Sequence, residues 1–382
     1  MTITFFTNLI HHHQIPVADE FYKILGDDYR YVSTMEMPAW LIKSGYDGTL
    51  DRPYIIRSYK DESSLNEALR LVDESDVVIF GAAPEEWVIN RKKKNKITFH
   101  YNERWLKTNL FRSFAPPELY RVWKNHFQFR NKRTYMLCAS AFTSNDVHKY
   151  FCYPRKCFKW GYFTKVDANF KVEATKLDAS TSEITPLMWC ARFLKLKHPE
   201  LPIQLATRLK ADGYKFVIDM FGSGVELEAT KKFAKDMGVE DVVNFRGNLP
   251  NDEILSEMRN HPIFLFTSDR NEGWGAVANE SMSNGCVLVG SNEIGSVPFL
   301  VKDGVNGCIF KSKSIDSLEE KVTMLLDNPD LLESMRNESL RTMREVWSPA
   351  NAVKQFLNLV EYIQNDKLSE YKLTEGPASW AD

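Results

Sequence analysis

The feature that most constrains this chain is an alternation that runs through it twice. Short apolar runs of strand length take turns with stretches of helical periodicity. In the first half the strand-like runs are TITFF, YRYVS, YIIRS, DVVIFG, KITFHY and RTYMLCAS, and the helical patterns between them include PVADEFYKIL, SLNEALRLV and PPELYRVWKNHF. A polar stretch without sustained periodicity follows, and the pattern restarts with PLMWCARF, KFVIDMFG, DVVNFRG, PIFLFTS and CVLVGS. Strands that alternate with helices demand parallel sheets joined by right-handed crossovers. The expected fold class is therefore α/β, with two Rossmann-like, doubly wound domains facing across a cleft. The 382 residues agree, since one domain usually takes roughly 100–200 residues. The expected boundaries are 1–165 for the first domain, 166–184 for a linker and 185–350 for the second domain.

Several function classes are disfavoured at this stage. The net charge of −2 gives no global pull toward nucleic acid. No apolar run approaches the roughly 20 residues of a spanning helix, and MTITFFTNLI reads as a first strand rather than a leader. The six cysteines form no C-x-x-C and no zinc spacing, so they read as buried thiols of a reducing cytoplasm. Neither a complete G-x-G-x-x-G after the first strand nor a G-x-x-x-x-G-K-[ST] is present, which argues against a dinucleotide dehydrogenase and a P-loop ATPase.

Ligands of open α/β sheets bind beyond the carboxyl ends of the strands, and several chemistry-bearing residues follow strand-like runs here. Arg192 and Lys197 flank one such turn; a guanidinium fork and an ammonium together suit a diphosphate. Gly222 and Gly224 permit a close backbone approach after KFVIDM. Glu272 and Glu280 stand eight residues apart around the glycine-rich RNEGWG, and paired carboxylates accept well from vicinal hydroxyls. Taken singly, each is equally compatible with surface charge, a plain turn or a solvated helix.

Their order is more specific. R-x4-K, G-x-G, FRGNLP, TSDRNEGWGAVANESMSNG and GSVPFLVKDGVNGCIF, over about residues 187–310, resemble the C-terminal half of retaining glycosyltransferases of family 4, which have the GT-B fold. The resemblance implies that residues 351–382 are C-terminal helices crossing back to the first domain. It implies that Arg192 and Lys197 bind the donor diphosphate, that Glu272 faces the donor sugar and that Glu280 faces the ribose. Gly222, Gly224, Gly273, Trp274 and Gly275 would line the donor, and Leu249 would lie near the nucleobase. In the first half, His11, His12, His13 and Gln14 replace the family's glycine-rich acceptor loop. His100, read as following a strand, matches a family histidine beside the transferred sugar and completes an expected catalytic set with Glu272, Arg192 and Lys197. Ala191, Ser281, Ser283 and Phe299 depart from the family pattern and leave the donor's identity open.

The implied activity is retaining transfer from a nucleotide sugar, UDP-hexose or UDP-N-acetylhexosamine, to a saccharide or lipid-linked acceptor in polysaccharide or glycoconjugate synthesis. No cofactor is expected, and without any D-x-D no catalytic metal is expected. Rival readings are a sugar phosphorylase of the same architecture, which would turn over without nucleotide sugar, and a non-catalytic nucleotide-sugar binder or membrane scaffold, which would never release free nucleotide.

One segment stands apart. Residues 91–133 carry thirteen Lys or Arg against two Glu, interleaved with nine aromatics. Such a face suits an anionic membrane surface, and this is favoured over nucleic acid because the resembled family often uses lipid-linked acceptors. A solvated basic face is the bland alternative. The expected location is cytoplasmic, peripheral at the inner face of the membrane.

Overall fold

A computed structural model describes residues 1–39, 42, 50–107, 110–172 and 184–381. Most of the expected linker lies outside the described residues. The chain divides into two compact units, one formed by Met1–Lys165 with Val346–Asp382, the other by Val166–Glu345.

In the first unit, seven strands form an all-parallel sheet: β1 (Ile3–Thr7), β2 (Tyr29–Ser33), β3 (Ile55–Arg57), β4 (Val77–Phe80), β5 (Ile97–Asn102), β6 (Thr134–Cys138) and β7 (Cys157–Lys159), in the order β3-β2-β1-β4-β5-β6-β7. Both faces are covered by helices, which is why β1, β4 and β6 read as continuous apolar runs rather than alternating ones. The helix Glu62–Glu74 starts at Asp61, whose carboxylate accepts from the Ser64 amide. Ser348 caps the long helix Pro349–Gln364 in the same way. That helix belongs to this unit because Phe356 inserts between Phe21 and Phe99, with ring centroids 5.6 and 4.9 Å away. The chain end then runs antiparallel along edge strand β7, Lys159 donating to Ser379 and Ala378 to Lys159 at 2.7 Å each. It covers an edge that would otherwise offer unpaired backbone groups.

The second unit has a six-stranded parallel sheet of β8 (Thr185–Cys190), β9 (Phe216–Phe221), β10 (Val243–Gly247), β11 (Ile263–Phe266), β12 (Val287–Ser291) and β13 (Gly307–Phe310), in the order β10-β9-β8-β11-β12-β13. Leu187, Trp189, Ile218, Met220, Leu265 and Val289 form its buried core with the flanking helices. Edge strands β7 and β13 were not among the strand-like runs read from the sequence. They have three and four residues. Strand order reverses direction between β1 and β4 in one unit and between β8 and β11 in the other. In open α/β sheets ligands bind outside the carboxyl ends of the strands at such a reversal.

Candidate active site

In the second unit the loops at that reversal are residues 191–198, after β8, and 267–276, after β11. Because β8 and β11 are hydrogen-bonded neighbours, with Ile263 opposite Leu187, their loops meet. Thr267 stitches them together: its hydroxyl accepts from the Trp189 indole at 2.9 Å and donates to the Lys197 carbonyl at 2.6 Å. The Asp269 amide donates to Leu196 at 3.0 Å. Across this seam the Lys197 ammonium donates to Glu272 Oε2, which also accepts from the Ser268 hydroxyl at 3.1 Å. The two residues assigned from sequence to diphosphate and sugar thus neutralise each other, with 14% of each side chain exposed. Arg192 is exposed and has no ion-pair partner among the described residues.

His198 adds a fixed point that sequence reasoning missed. It adopts a left-handed backbone (φ 49°) and bridges Glu200 at 2.6 Å and Asp269 at 3.3 Å. The hydrogen bond to Glu200, then that to Asp269, raises its pKa, and the two bonds tether the loop that carries Lys197. The polar run TSDR directly after an apolar strand was the available signal.

The G-x-G glycines have a packing reason. A Cβ on Gly222 (φ 126°) would lie 2.0 Å from the Ala191 carbonyl oxygen, and one on Gly224 (φ 152°) 2.4 Å from that of Phe193. The pair lets the loop after β9 lie against the loop that holds Arg192, with Phe193 N–H donating to Ser223 at 2.8 Å. Gly275 (φ 81°) is equally obligatory, since a Cβ would meet the Phe266 ring at 2.3 Å. The Trp274 side chain is fully buried, its indole on Asn279 Oδ1 at 2.7 Å, which leaves only the backbone of Gly273 and Trp274 for a ligand. Leu249 is half-buried in the loop after β10.

Glu280 lies in the helix Val277–Ser283. Its carboxylate has no hydrogen-bond partner among the described residues. Burial pushes its pKa up to about 7; burial, and then the charge of Glu280, likewise raise that of Cys190 at the end of β8. The residue keeps part of its surface exposed, so an incoming hydroxyl can reach a carboxylate that no described residue already satisfies.

In the first unit the histidine triplet divides. His11 and Gln14 line a cavity of about 330 Å³ at the carboxyl ends of the central strands. His13 turns inward, 8% exposed, its ring stacked 4.4 Å from Tyr162, while His12 stays at the surface. Burial lowers the pKa of His11 to about 4 and keeps His13 neutral as well. Gln14 Oε1 accepts from the Tyr31 hydroxyl at 2.6 Å.

His100 is placed differently from the sequence reading. It lies within β5 rather than after it, two residues short of the strand end, and is 1% exposed. Its Nε2 is 3.3 Å from Lys92 Nζ and its Nδ1 3.7 Å from Glu85. His126 Nε2 reaches the same carboxylate at 3.8 Å, and Lys92 also donates to the Asn125 carbonyl at 2.6 Å. Among the described residues, Glu85, His100 and His126 are the group whose donor atoms, within 4.8 Å of one another, are spaced for a metal ion. Lys92 Nζ, 3.6 Å from Glu85, already supplies positive charge there, and burial lowers its pKa to about 8.

The basic segment is likewise not one face. Arg91 and Lys92 are fully buried; Arg91 donates to the carbonyls of Val72, Ser75, Asp76 and Ile97. Lys93 and Lys94 stay exposed, and the helix Pro116–Asn125 and its approach carry exposed apolar side chains, Phe114, Leu119, Tyr120 and Trp123 lying outside beside Arg112, Arg121 and Lys124. Among the described residues no helix is long and apolar enough to cross a membrane.

Comparison with known proteins bears on the second unit most directly. Residues 186–342 match the family model for glycosyl transferases group 1. A stretch of 139 residues is 27% identical to the poly(glycerol-phosphate) alpha-glucosyltransferase of Bacillus subtilis, covering 36% of this chain and 20% of that protein. Another, of 134 residues, is 29% identical to the GDP-mannose-dependent alpha-(1-6)-phosphatidylinositol monomannoside mannosyltransferase of Mycobacterium tuberculosis, covering 34% of each. The matched stretches thus span about a third or less of those relatives. Among solved structures, HepE of Anabaena in complex with UDP superposes with a TM-score of 0.68 at 11% identity, over 94% of this chain and 100% of that one. The lipopolysaccharide outer core galactosyltransferase WaaB gives 0.65 at 15%, over 95% and 100%. At such identities the likeness is one of fold, and that fold is GT-B, two Rossmann-like parallel-sheet domains.

Proposed function

We propose that this chain, a GT-B fold whose residues 186–342 match the glycosyl transferases group 1 model, is a retaining, metal-independent glycosyltransferase of family 4. It moves a hexosyl or N-acetylhexosaminyl group from a UDP-linked donor to a saccharide or lipid-linked saccharide acceptor in polysaccharide or glycoconjugate synthesis. The observation that carries this reading is the ion pair of Lys197 and Glu272 across the β8/β11 seam, with the unpartnered carboxylate of Glu280 following on the next helix.

Donor binding exchanges partners in that pair. The diphosphate takes Lys197 and the exposed Arg192, and Glu272 is released to accept hydroxyls of the sugar. Glu280 accepts the ribose hydroxyls. In the chemical step the bond from the anomeric carbon to the diphosphate oxygen breaks while the acceptor oxygen attacks from the same face. The acceptor proton passes to the departing diphosphate oxygen. Negative charge grows on that diphosphate, so Lys197 and Arg192 act most strongly in the transition state. HepE, a fold neighbour solved with UDP, supports the choice of nucleotide. The outward aromatic and basic face of the helix Pro116–Asn125 suits peripheral contact with an anionic bilayer on the cytoplasmic side.

A panel of nucleotide sugars tested by thermal shift checks the donor, since a ligand at 100 times its Kd stabilises by about 2.7 kcal/mol. Lys197→Ala and Arg192→Ala should each lower kcat/KM about 100-fold or more, with wild-type turnover persisting in EDTA. Near-normal activity in both variants would refute the assignment.

A further inference from the structure

The cavity of about 330 Å³ in the first unit is not accounted for by His11 and Gln14 alone. It sits at the β1/β4 reversal of strand order, where the loops after β1, β4, β5 and β6 meet. Its size is at the lower end of ligand pockets, about 300–1,000 Å³, which suits one small ring. Glu103, just past β5, is the carboxylate in its lining, beside Asn8, Asn102 and Tyr162. One carboxylate oxygen accepts from the Tyr162 hydroxyl at 2.7 Å; the other is paired with Lys107. The neighbouring cation does not contribute: Arg104 turns to Asp146 at 3.4 Å and lies over the Phe142 ring. His11 is held neutral by burial. Among the described residues the lining is therefore a set of neutral donors and acceptors around one carboxylate, whose cationic neighbour Lys107 is already committed.

This chemistry discriminates among ligands. A phosphate entering the cavity would take Lys107 from Glu103 and then face an uncompensated like charge. Hydroxyls of a neutral ring would donate to Glu103 and accept from the amides of Asn8, Asn102 and Gln14, with no charge left unpaired.

We propose that this cavity holds a neutral, polyhydroxylated unit of the acceptor, a sugar ring or cyclic polyol rather than a phosphorylated one. Glu103 reads its hydroxyls, and Tyr162 acts as a positioning residue that holds Glu103. The inference rests on the glycosyltransferase reading and adds the class of acceptor, which none of the relatives settles for this chain.

Direct binding to the full-length protein tests it. Saturation-transfer NMR and calorimetry would compare methyl α-glucoside with glucose 6-phosphate, and myo-inositol with inositol 3-phosphate. The wild type should bind the neutral member of each pair more tightly. Glu103→Gln should weaken the neutral ligands roughly 10- to 150-fold, the worth of a hydrogen bond to a charged group, and narrow the preference over the phosphorylated ones. Glu103→Lys should reverse that preference. Tyr162→Phe should lower neutral-ligand affinity by a smaller factor with the same loss of selectivity, a change that a merely structural role would not produce. Tighter binding of the phosphorylated members by wild type, or unchanged selectivity in Glu103→Gln, overturns the proposal. If nucleotide-sugar binding remains intact in the same preparation, the transferase reading survives that failure. If wild type binds no nucleotide sugar, the transferase reading falls and this proposal falls with it.

Discussion

Replacing Glu280 by Gln separates what this side chain does to stability from what it does to a ligand. Desolvation lifts its folded-state pKa to about 7, against about 4.3 for an unperturbed glutamate, although the residue is half-buried rather than sealed from water. Below pH ~4 the group is neutral in both the folded and the unfolded chain and leaves stability unaffected. As pH rises through that unfolded value, the unfolded chain ionises first and stability falls, until the folded carboxyl also ionises near 7. Above that the full cost persists, at most roughly 3–4 kcal/mol from the gap between the two pKa values. Residual water access to the side chain reduces this to about 1–3 kcal/mol. Glutamine escapes the cost. Glu280→Gln should therefore melt higher than wild type at pH 8, by on the order of 2–10 °C for a domain of this size. The advantage should shrink as pH falls below about 7. The same substitution should weaken the free nucleoside diphosphate by about 10- to 150-fold, measured by calorimetry, and raise the donor KM. Glu272→Gln should behave oppositely. It strips Lys197 of its charged partner, lowers stability and depresses kcat, while nucleoside diphosphate affinity does not fall, since Lys197 no longer has a carboxylate to leave. A Glu280→Gln protein no more stable than wild type at pH 8 would refute the desolvation argument. A stabilised variant with undiminished diphosphate binding would refute the ribose assignment.

Other perturbations follow from the same packing. Gly222→Ala places a methyl 2.0 Å from the Ala191 carbonyl and should cost about 2–4 kcal/mol in chemical denaturation; a loss below about 0.5 kcal/mol would show that the two loops are not packed as described. Lys92→Ala leaves Glu85 without its buried cation and should lower the melting temperature by several degrees, about 2–4 kcal/mol, whereas Lys93→Ser and Lys94→Ser, both exposed, should leave it unchanged. Tyr120→Ser with Trp123→Ser should reduce binding to anionic vesicles without altering the melt, and wild-type binding should fall as salt rises. Salt-independent or absent vesicle binding would leave this face merely solvated.

The fold and the place where the loops after β8 and β11 come together were legible in the sequence because both follow from local order. Strand-length runs alternating with helical periods specify parallel sheets, and residues immediately after strands are delivered to one edge of each sheet whatever the rest of the chain does. The R-x4-K, G-x-G and E-x7-E elements follow that rule, and their placement could be read without coordinates. Which side chains face one another could not. Lys197 and Glu272 are 75 residues apart in sequence and meet only because β8 and β11 are sheet neighbours. Arg91 and Lys92 look like surface charges in a run of four cations, yet the face they occupy is fixed by helix packing against β4 and β5, and both are buried. His100 reads as a residue beyond a strand, but β5 continues to Asn102 and hydrogen-bonds along its length to β6, which turns the imidazole into a buried cluster with Glu85 and His126. The glycines of G-x-G suggested a ligand approaching the backbone; the assembled sheet adds that the neighbouring loop also packs against them. Glu103 and Tyr162, 59 residues apart, carry no motif at all. Local periodicity determines where strands begin and where their loops emerge, but the neighbours a side chain meets are set by strand order, which only the assembled sheet decides.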